Sequence, residues 1–225
     1  YVSLGDDIMK VLKERHESIL DLMLPQYRPM ICRPTEHTPT ESGGAVFPWF
    51  RRKSVFAAAP GGSSEPILSE PEAKVLNTLQ ATEWAINVRV LGVMEELYRN
   101  NHAEAGLPMY EQADFKMDKP YPSDLGREEK LQWKREKREK KNQWKLEESR
   151  RRRLNVRLAE AKRLAKHDCF WHAWFADFRS RKYTATEVLS PQGGDWDKAL
   201  LMFAVPRQQT KEGLFWLKVH VANLW

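Results

Sequence analysis

The spacing of apolar residues predicts helices in the first hundred positions, separated by irregular chain. Apolar residues recur at helical spacing over 4–24, and Pro25 ends that pattern, which indicates an amphipathic helix. Residues 25–71 are rich in Pro and Gly instead, which is typical of loops around short strands. Within them, residues 57–71 remain open to interpretation as a flexible linker.

A second helix is predicted to begin beside Ser69 and Glu72, whose side chains have the spacing of a capping box. An apolar stripe then runs from Leu76 to Leu97 at spacings of three, four or seven. We therefore expect one continuous helix that ends near Tyr98 and buries one face, followed by a loop.

Residues 124–166 have the pattern of one long charged helix. Glu148 and Arg152 form one of several i,i+4 pairs in the orientation that stabilises helices. Apolar residues are sparse in the first half and become regular from Leu154 onward. We expect the first half to project into solvent and the second half to pack on the body of the protein.

The remainder of the chain predicts short strands and two further helices. Residues 177–189 indicate an extended strand or a hairpin, and a turn follows at 190–194. Asp195 is expected to cap a helix that runs through Phe203, and Thr210 to begin another that runs to the end. The predicted fold class is mainly α with a small β component, in which long projecting helices accompany a few strands.

Charge changes this picture, because the basic residues are concentrated in one segment. The chain has 225 residues, with 37 Lys and Arg against 31 Asp and Glu, a net charge of +6. Residues 127–166 alone hold 17 basic and 7 acidic residues, a net of +10, and the rest of the chain is net acidic at −4. A concentrated basic helix favours a polyanionic partner.

Composition also excludes several classes of protein. The longest uninterrupted apolar run, residues 199–205, is far short of the ~20 residues that cross a bilayer, so no membrane partner is expected. Two cysteines, Cys32 and Cys169, are too few for a disulfide framework and fit a reducing compartment. The chain begins with Tyr1 and stops within an apolar pattern, so we expect it to be a piece of a longer polypeptide.

The basic helix is the first candidate site. Cations along it can neutralise nucleic-acid phosphates and release counterions, while Trp133 and Trp144 could stack on bases or pack on sugars. The alternative is a solvated helix held by its own ion pairs. The candidate contacts are Lys134, Arg138, Lys141, Lys145, Arg150, Arg151, Arg152 and Arg153.

The segment that begins at Asp177 is the second candidate. If it is a strand, alternation places Asp177, Arg179, Arg181 and Tyr183 on one face. Two guanidiniums beside a tyrosine could clamp a phosphate, with the carboxylate holding one of them through a bidentate pair. The alternative is a salt-bridge ladder on an exposed sheet.

Other chemistry is weakly supported. His167, Cys169 and His172 are close in sequence, but their spacing matches no structural zinc pattern, and no context supports a Cys–His nucleophile. The chain contains no GxxxxGK[ST] sequence, and its paired glycines are expected to form turns.

In their order, these segments resemble the single-subunit RNA polymerases of bacteriophages and mitochondria. The proline-rich residues 29–34, followed by Gly43-Gly44, look like the family's stretch before a glycine-rich turn. Residues 76–91 resemble its Q-x-T-x-W-x-I-N-x-x-V-L helix, and residues 177–183 resemble its D-W-R-G-R-x-Y motif. The resemblance continues through residues 212–223 and so covers most of the chain.

The resemblance implies a division into the end of an N-terminal domain (1–70), a thumb (71–168) and the start of a palm (169–225). In this family the thumb closes over the RNA–DNA hybrid, which suits a projecting basic helix. The motif at 177–183 lies against the template and hybrid near the active site. Arg179 and Arg181 are therefore expected to contact the nucleic-acid backbone and Tyr183 the template nucleotide, with Asp177 positioning an arginine.

Two positions depart from the family motif. Ser180 stands where the family has Gly, and Phe178 where it has Trp. A Gly at a close backbone approach does not always accept a side chain, so the fine geometry of this site is expected to differ from that of the family.

The family reaction is DNA-directed RNA synthesis by nucleotidyl transfer. The resemblance implies Mg²⁺ in the full-length enzyme and no ion bound by this segment, because the family's metal-binding aspartates and its nucleotide-selecting Lys and Tyr lie beyond residue 225. Template DNA, the RNA–DNA hybrid and ribonucleoside triphosphates are the implied partners of a monomeric enzyme. This polypeptide alone, with no catalytic residue of its own, is not expected to polymerise RNA.

Two other functions remain open at this point. The chain could be a non-catalytic nucleic-acid-binding module derived from such a polymerase, or a structural protein built on a charged helix. The expected location is the host-cell cytoplasm for a phage protein, with a mitochondrion or plastid as the alternative.

Overall fold

The computed structural model describes residues 27–47, 68–102, 106–111, 115–117, 121, 124, 126–177 and 179–224. The predicted helix over 4–24 and most of the possible linker at 57–71 lie outside these residues. The described elements are α1 (Glu70–Gln80), β1 (Trp84–Ile86), α2 (Val88–Arg99), α3 (Arg127–Leu164), β2 (Trp174–Ala176), β3 (Lys182–Thr184), α4 (Asp195–Leu200), β4 (Leu201–Phe203) and α5 (Lys211–Leu224).

The fold is mainly helical with two small antiparallel sheets, which confirms the predicted class. One sheet pairs β1 with β4, placing Trp84 opposite Phe203. The other is a hairpin of β2 and β3, in which Phe175 lies opposite Tyr183. No helix among the described residues is long and apolar enough to span a membrane.

The continuous helix predicted up to Tyr98 is wrong, because β1 interrupts it. Trp84 exchanges backbone hydrogen bonds with Phe170 at 2.8 and 2.9 Å, and β1 also pairs with β4, so this segment is held as a strand. The Asn87 side chain then accepts the N–H of Val90 at 3.2 Å and begins α2. The capping box before α1 is present, with Glu72 accepting from the backbone N–H and the hydroxyl of Ser69.

The long charged helix is confirmed as α3, whose 38 residues extend for about 57 Å. Its buried residues all lie in the last third, from Leu154 to Leu164, and the first two thirds are exposed or half-buried. The first part therefore projects away from the core, as the sequence pattern predicts.

The main core packs the end of α3 against α2, α4 and the strands. A smaller cluster joins α1 to the hairpin through Leu76, Trp174 and Ala176. The largest fully buried side chains of the main core are Phe170, Leu154, Leu164, Leu189 and Leu200.

Of two predictions for the last section, one is partly right and the other is confirmed. The helix expected from Asp195 through Phe203 ends at Leu200, because the next three residues pair with β1. The helix expected after Thr210 is present as α5, and the Thr210 hydroxyl accepts the N–H of Gly213 at 3.0 Å.

Candidate nucleic-acid interface

The hairpin loop, residues 177–181 between β2 and β3, is organised by the buried carboxylate of Asp177. Its Oδ1 accepts the backbone N–H groups of Arg179 and Arg181, each at 2.9 Å. Its Oδ2 accepts the Nε–H of Arg181 at 2.6 Å. The loop closes through a backbone bond from the Asp177 N–H to the Arg181 carbonyl at 2.8 Å. One side chain therefore fixes both the loop backbone and one guanidinium.

The same hydrogen bonds favour the ionised forms of Asp177 and Arg181. Burial by itself raises the pKa of Asp177, but hydrogen bonds from the backbone and guanidinium of Arg181 and from the Arg179 amide outweigh it and lower the pKa below its usual range. The hydrogen bond to Asp177 raises the pKa of Arg181 in turn. Carboxylate and guanidinium are therefore both ionised at neutral pH.

The predicted alternation along one strand is wrong for Asp177 and Arg179, because both lie outside β2 and β3, in the connection between them. Only Tyr183 of the four candidates lies in a strand, where its ring stands 5.8 Å from that of Phe175. The Arg181 guanidinium lies over the Tyr183 ring at 5.9 Å, with its side chain 57% exposed. The exposed Arg181 and the half-buried Tyr183 thus form one cationic and aromatic surface, and Arg179 is exposed on the same loop.

On α3, five of the eight candidate cations share one exposed face. At about 100° per residue, they fall within an arc of about 60° on the side opposite the buried Leu154, Leu158 and Ala161. Along the axis they cover about 27 Å. We call this face the basic stripe; its members are Lys134, Arg138, Lys141, Lys145 and Arg152.

The other three candidates point elsewhere. Arg150 is turned toward the body of the protein, where it donates to the Gly106 carbonyl at 2.9 Å and lies 6.0 Å from the Trp196 ring. Arg151 is half-buried, and Arg153 is exposed about 100° away from the basic stripe. The run Arg150–Arg153 therefore does not act as one basic patch.

The two tryptophans that could stack on bases or pack on sugars contact other aromatic rings of the chain. The Trp133 ring meets the Tyr121 ring edge-on at 5.2 Å, and Lys137 lies 4.9 Å above Trp133. The Trp144 ring lies 6.5 Å from that of Phe115. Both tryptophans lie off the basic stripe and hold the preceding loop against α3.

The base of α3 is fixed by buried carboxylates that the sequence pattern did not single out. Glu160 is fully buried and accepts from Arg28 and from Arg163, each at 2.6 Å. Burial alone raises the pKa of Glu160, but its two arginine partners lower it overall. Asp197 accepts from Arg157 at 2.8 Å and from the Leu189 N–H at 2.9 Å. No local pattern indicates that Glu160 is buried, because Arg153 and Arg163 lie near it on the helix and its partner Arg28 lies 132 positions earlier.

The residues weighed for zinc do not form a site. His172 is fully buried between Trp84 and Phe170, and its Nδ1 lies 3.0 Å from the Thr186 hydroxyl. His167 is exposed, in contrast. Within the part of the chain that the structure describes, no group of three or more His, Cys, Asp or Glu side chains could hold a metal ion.

The chain is therefore a mainly helical protein with a row of exposed cations on one long helix and an arginine-bearing hairpin loop, and its sequence is similar to those of known proteins. It is 31% identical over 206 residues to T7 RNA polymerase of Escherichia phage T7, which covers 88% of this chain. It is 28% identical to the DNA-directed RNA polymerase of Enterobacteria phage K11 over 99% of the chain. The mitochondrial DNA-directed RNA polymerase 1 of Arabidopsis thaliana is 28% identical over 96%.

The chain is a homologue of the T7-like phage and organellar single-subunit RNA polymerases. It spans only 22% to 25% of the length of these three relatives. No family model matches the chain.

Proposed function

We propose that the chain is the part of a DNA-directed RNA polymerase that grips template DNA and the RNA–DNA hybrid during transcription. The observation that carries this proposal is the basic stripe of α3, a row of exposed cations on the face opposite the core. Phosphates spaced along a nucleic-acid strand can lie against such a row, and each contact releases counterions.

The arrangement of charge on α3 favours a partner over a merely solvated helix. The helix does hold internal pairs, such as Arg150 with Glu147 and Arg152 with Glu148. Lys134, Arg138, Lys141 and Lys145, however, form no ion pair with any residue that the structure describes. Four uncompensated cations on one face repel each other until a polyanion neutralises them.

In this proposal the chain divides as the family does, with residues 1–70 ending an N-terminal domain, 71–168 forming the thumb and 169–225 beginning the palm. The projecting α3 serves as the gripping element of the thumb. In the hairpin loop, Arg179 and Arg181 contact the nucleic-acid backbone, Tyr183 contacts the template nucleotide, and Asp177 positions Arg181.

Nucleotidyl transfer in this family would need Mg²⁺ and ribonucleoside triphosphates, and the described residues do not fit that role. Asp177 is occupied by three donors from Arg179 and Arg181, and Asp197 by Arg157 and the Leu189 amide. Each carboxylate is already paired with an arginine, and neither belongs to a group of three or more possible metal ligands among the described residues. We infer that these 225 residues bind nucleic acid without polymerising it, as a monomer, in a phage-infected cell or in a mitochondrion or plastid.

Binding of a labelled RNA–DNA hybrid with a single-stranded template overhang tests the proposal. We expect fluorescence anisotropy to show an affinity that falls steeply as salt rises from 50 to 200 mM, because several phosphates are neutralised. Absence of salt-dependent binding would refute it. Extension of the RNA by the 225-residue chain with Mg²⁺ and nucleotides would show that the chain is catalytic, contrary to our inference.

A further inference from the structure

Ser180, at the tip of the hairpin loop, has a backbone conformation that disfavours its side chain. Its φ is +58°, in the left-handed region where glycine is tolerated without penalty and other residues are uncommon. A residue stays in this region only when its surroundings hold it there. The structure shows what holds Ser180.

The Ser180 hydroxyl donates to Oε1 of Glu72 at 2.7 Å. The other carboxylate oxygen, Oε2, accepts from the hydroxyl and the backbone N–H of Ser69 at 2.7 and 3.1 Å. Hydrogen bonds from Ser180 and then Ser69 lower the pKa of Glu72, so this bridge carries a full charge at neutral pH. One carboxylate thus joins the first turn of α1 to the tip of the hairpin, 108 positions later.

Two further observations show that the bond between Glu72 and Ser180 acts on the loop that carries the arginines. Lys182 donates to the Ser180 carbonyl at 2.7 Å, and its charge favours the ionised Glu72. Ser180 lies directly between Arg179 and Arg181, so the link holds the backbone from which both guanidiniums extend. Asp177 binds the loop from within, and Glu72 binds it from a different element.

We propose that Glu72 is a positioning residue for nucleic-acid binding, which acts through Ser180 to fix the hairpin loop against α1. This inference rests on the proposed function and deepens it. The gain from a fixed loop is entropic: Arg179 and Arg181 meet phosphates without first losing loop freedom. The hydroxyl of Ser180 is therefore the reason that a serine is kept in a conformation suited to glycine.

The decisive variant is Ser180→Ala, which keeps the charge and the capping box and removes only the link. We expect its hybrid dissociation constant to rise about fivefold, since loss of one side-chain hydrogen bond changes an equilibrium by up to about tenfold. Ser180→Gly removes the same link while relieving the backbone, so it should lose at least as much affinity and be destabilised less than Ser180→Ala. Ser180→Asn tolerates the left-handed region and keeps a donor for Glu72, so it should restore most of the affinity.

A double-mutant cycle with Glu72→Ala separates the link from the change of charge. In the Glu72→Ala background, Ser180→Ala should make less than about a twofold difference. Glu70→Ala, which removes an exposed charge from the same helix turn and leaves the link intact, should leave the affinity unchanged.

The outcomes distinguish this inference from the proposed function. If Ser180→Ala and Ser180→Gly bind like the wild type while Lys141→Ala/Lys145→Ala binds more weakly, the positioning role is wrong and the grip of α3 stands. If the wild-type chain does not bind the hybrid, both proposals are overturned.

Discussion

At the scale of single residues, two buried polar groups have contrasting roles. Asp177 is charged, bound by three donors and placed at the candidate interface. His172 is fully buried in the core, where its ring meets Trp84 and Phe170 edge-on. Burial lowers the pKa of His172 to about 3, so the ring is neutral at physiological pH. In the proposed function the first group positions Arg181, and the second links folding to pH.

The depressed pKa of His172 predicts acid sensitivity in a defined window. The unfolded chain binds a proton near pH 6.5 and the folded chain only near pH 3, so stability falls as the pH drops between these values. We expect a loss of about 2 kcal/mol by pH 5, measured by urea unfolding at a series of pH values.

The control for this prediction is His172→Gln, which cannot titrate. Its free energy of unfolding should change less than that of the wild type between pH 7 and pH 5. Above pH 5 the acids Glu72, Glu160 and Asp177 stay ionised, because each has a lowered pKa. Equal pH dependence in both proteins would contradict the assignment to His172.

At the scale of the element, α3 has one end that projects into solvent and one end that is buried against the core. Its last third is buried, and Glu160 joins it to Arg28, 132 positions earlier. Its first part projects and carries most of the basic stripe. A projecting helix can hold a nucleic acid in position only if the base of the helix is fixed. The buried carboxylate of Glu160 therefore supports the proposed grip.

Glu160→Gln should therefore destabilise the protein. The change leaves Arg28 and Arg163 without their anionic partner, and such a loss costs several kcal/mol when the pair is fully buried. Both arginines are about one-third exposed, at 31% and 34%, so we expect about 2 kcal/mol by urea unfolding.

Glu139→Gln on the exposed part of the same helix is the matched control, because it removes the same charge from a solvated position. It should change the free energy of unfolding by less than about 0.5 kcal/mol. Similar losses in the two variants would show that Glu160 does not fix the helix base.

At the scale of the whole molecule, helical periodicity was enough to predict α3 and its projecting half. The same period, applied to Lys134 and Lys141, also places them on one face without any structure. The break in the predicted second helix could not be predicted, because Ile86 fits the helical stripe of Leu79 and Val90. Residues 84–86 form a strand because they pair with β4, whose Phe203 lies 119 positions after Trp84.

The candidate site was likewise predicted in part by local patterns and decided in part by tertiary contacts. The sequence predicted that Asp177 holds an arginine, and the structure identifies it as Arg181. Strand alternation failed there because the Asp177 side chain accepts the backbone amides of Arg179 and Arg181 and so bends the chain. The bond between Glu72 and Ser180 joins residues from distant elements, so no local pattern indicates it. Local patterns predicted the candidate residues, and tertiary contacts decided their geometry.

The central claim, that nucleic acid lies along the basic stripe, is tested most directly by the salt dependence of hybrid binding in two matched double variants. Lys141→Ala/Lys145→Ala removes two charges from the stripe, and Arg135→Ala/Lys166→Ala removes two exposed charges of the same segment away from it. The magnitude of the slope of log affinity against log salt should decrease by about 1.5 for the first pair and by less than about 0.5 for the second. Equal changes in the two slopes would contradict the claim.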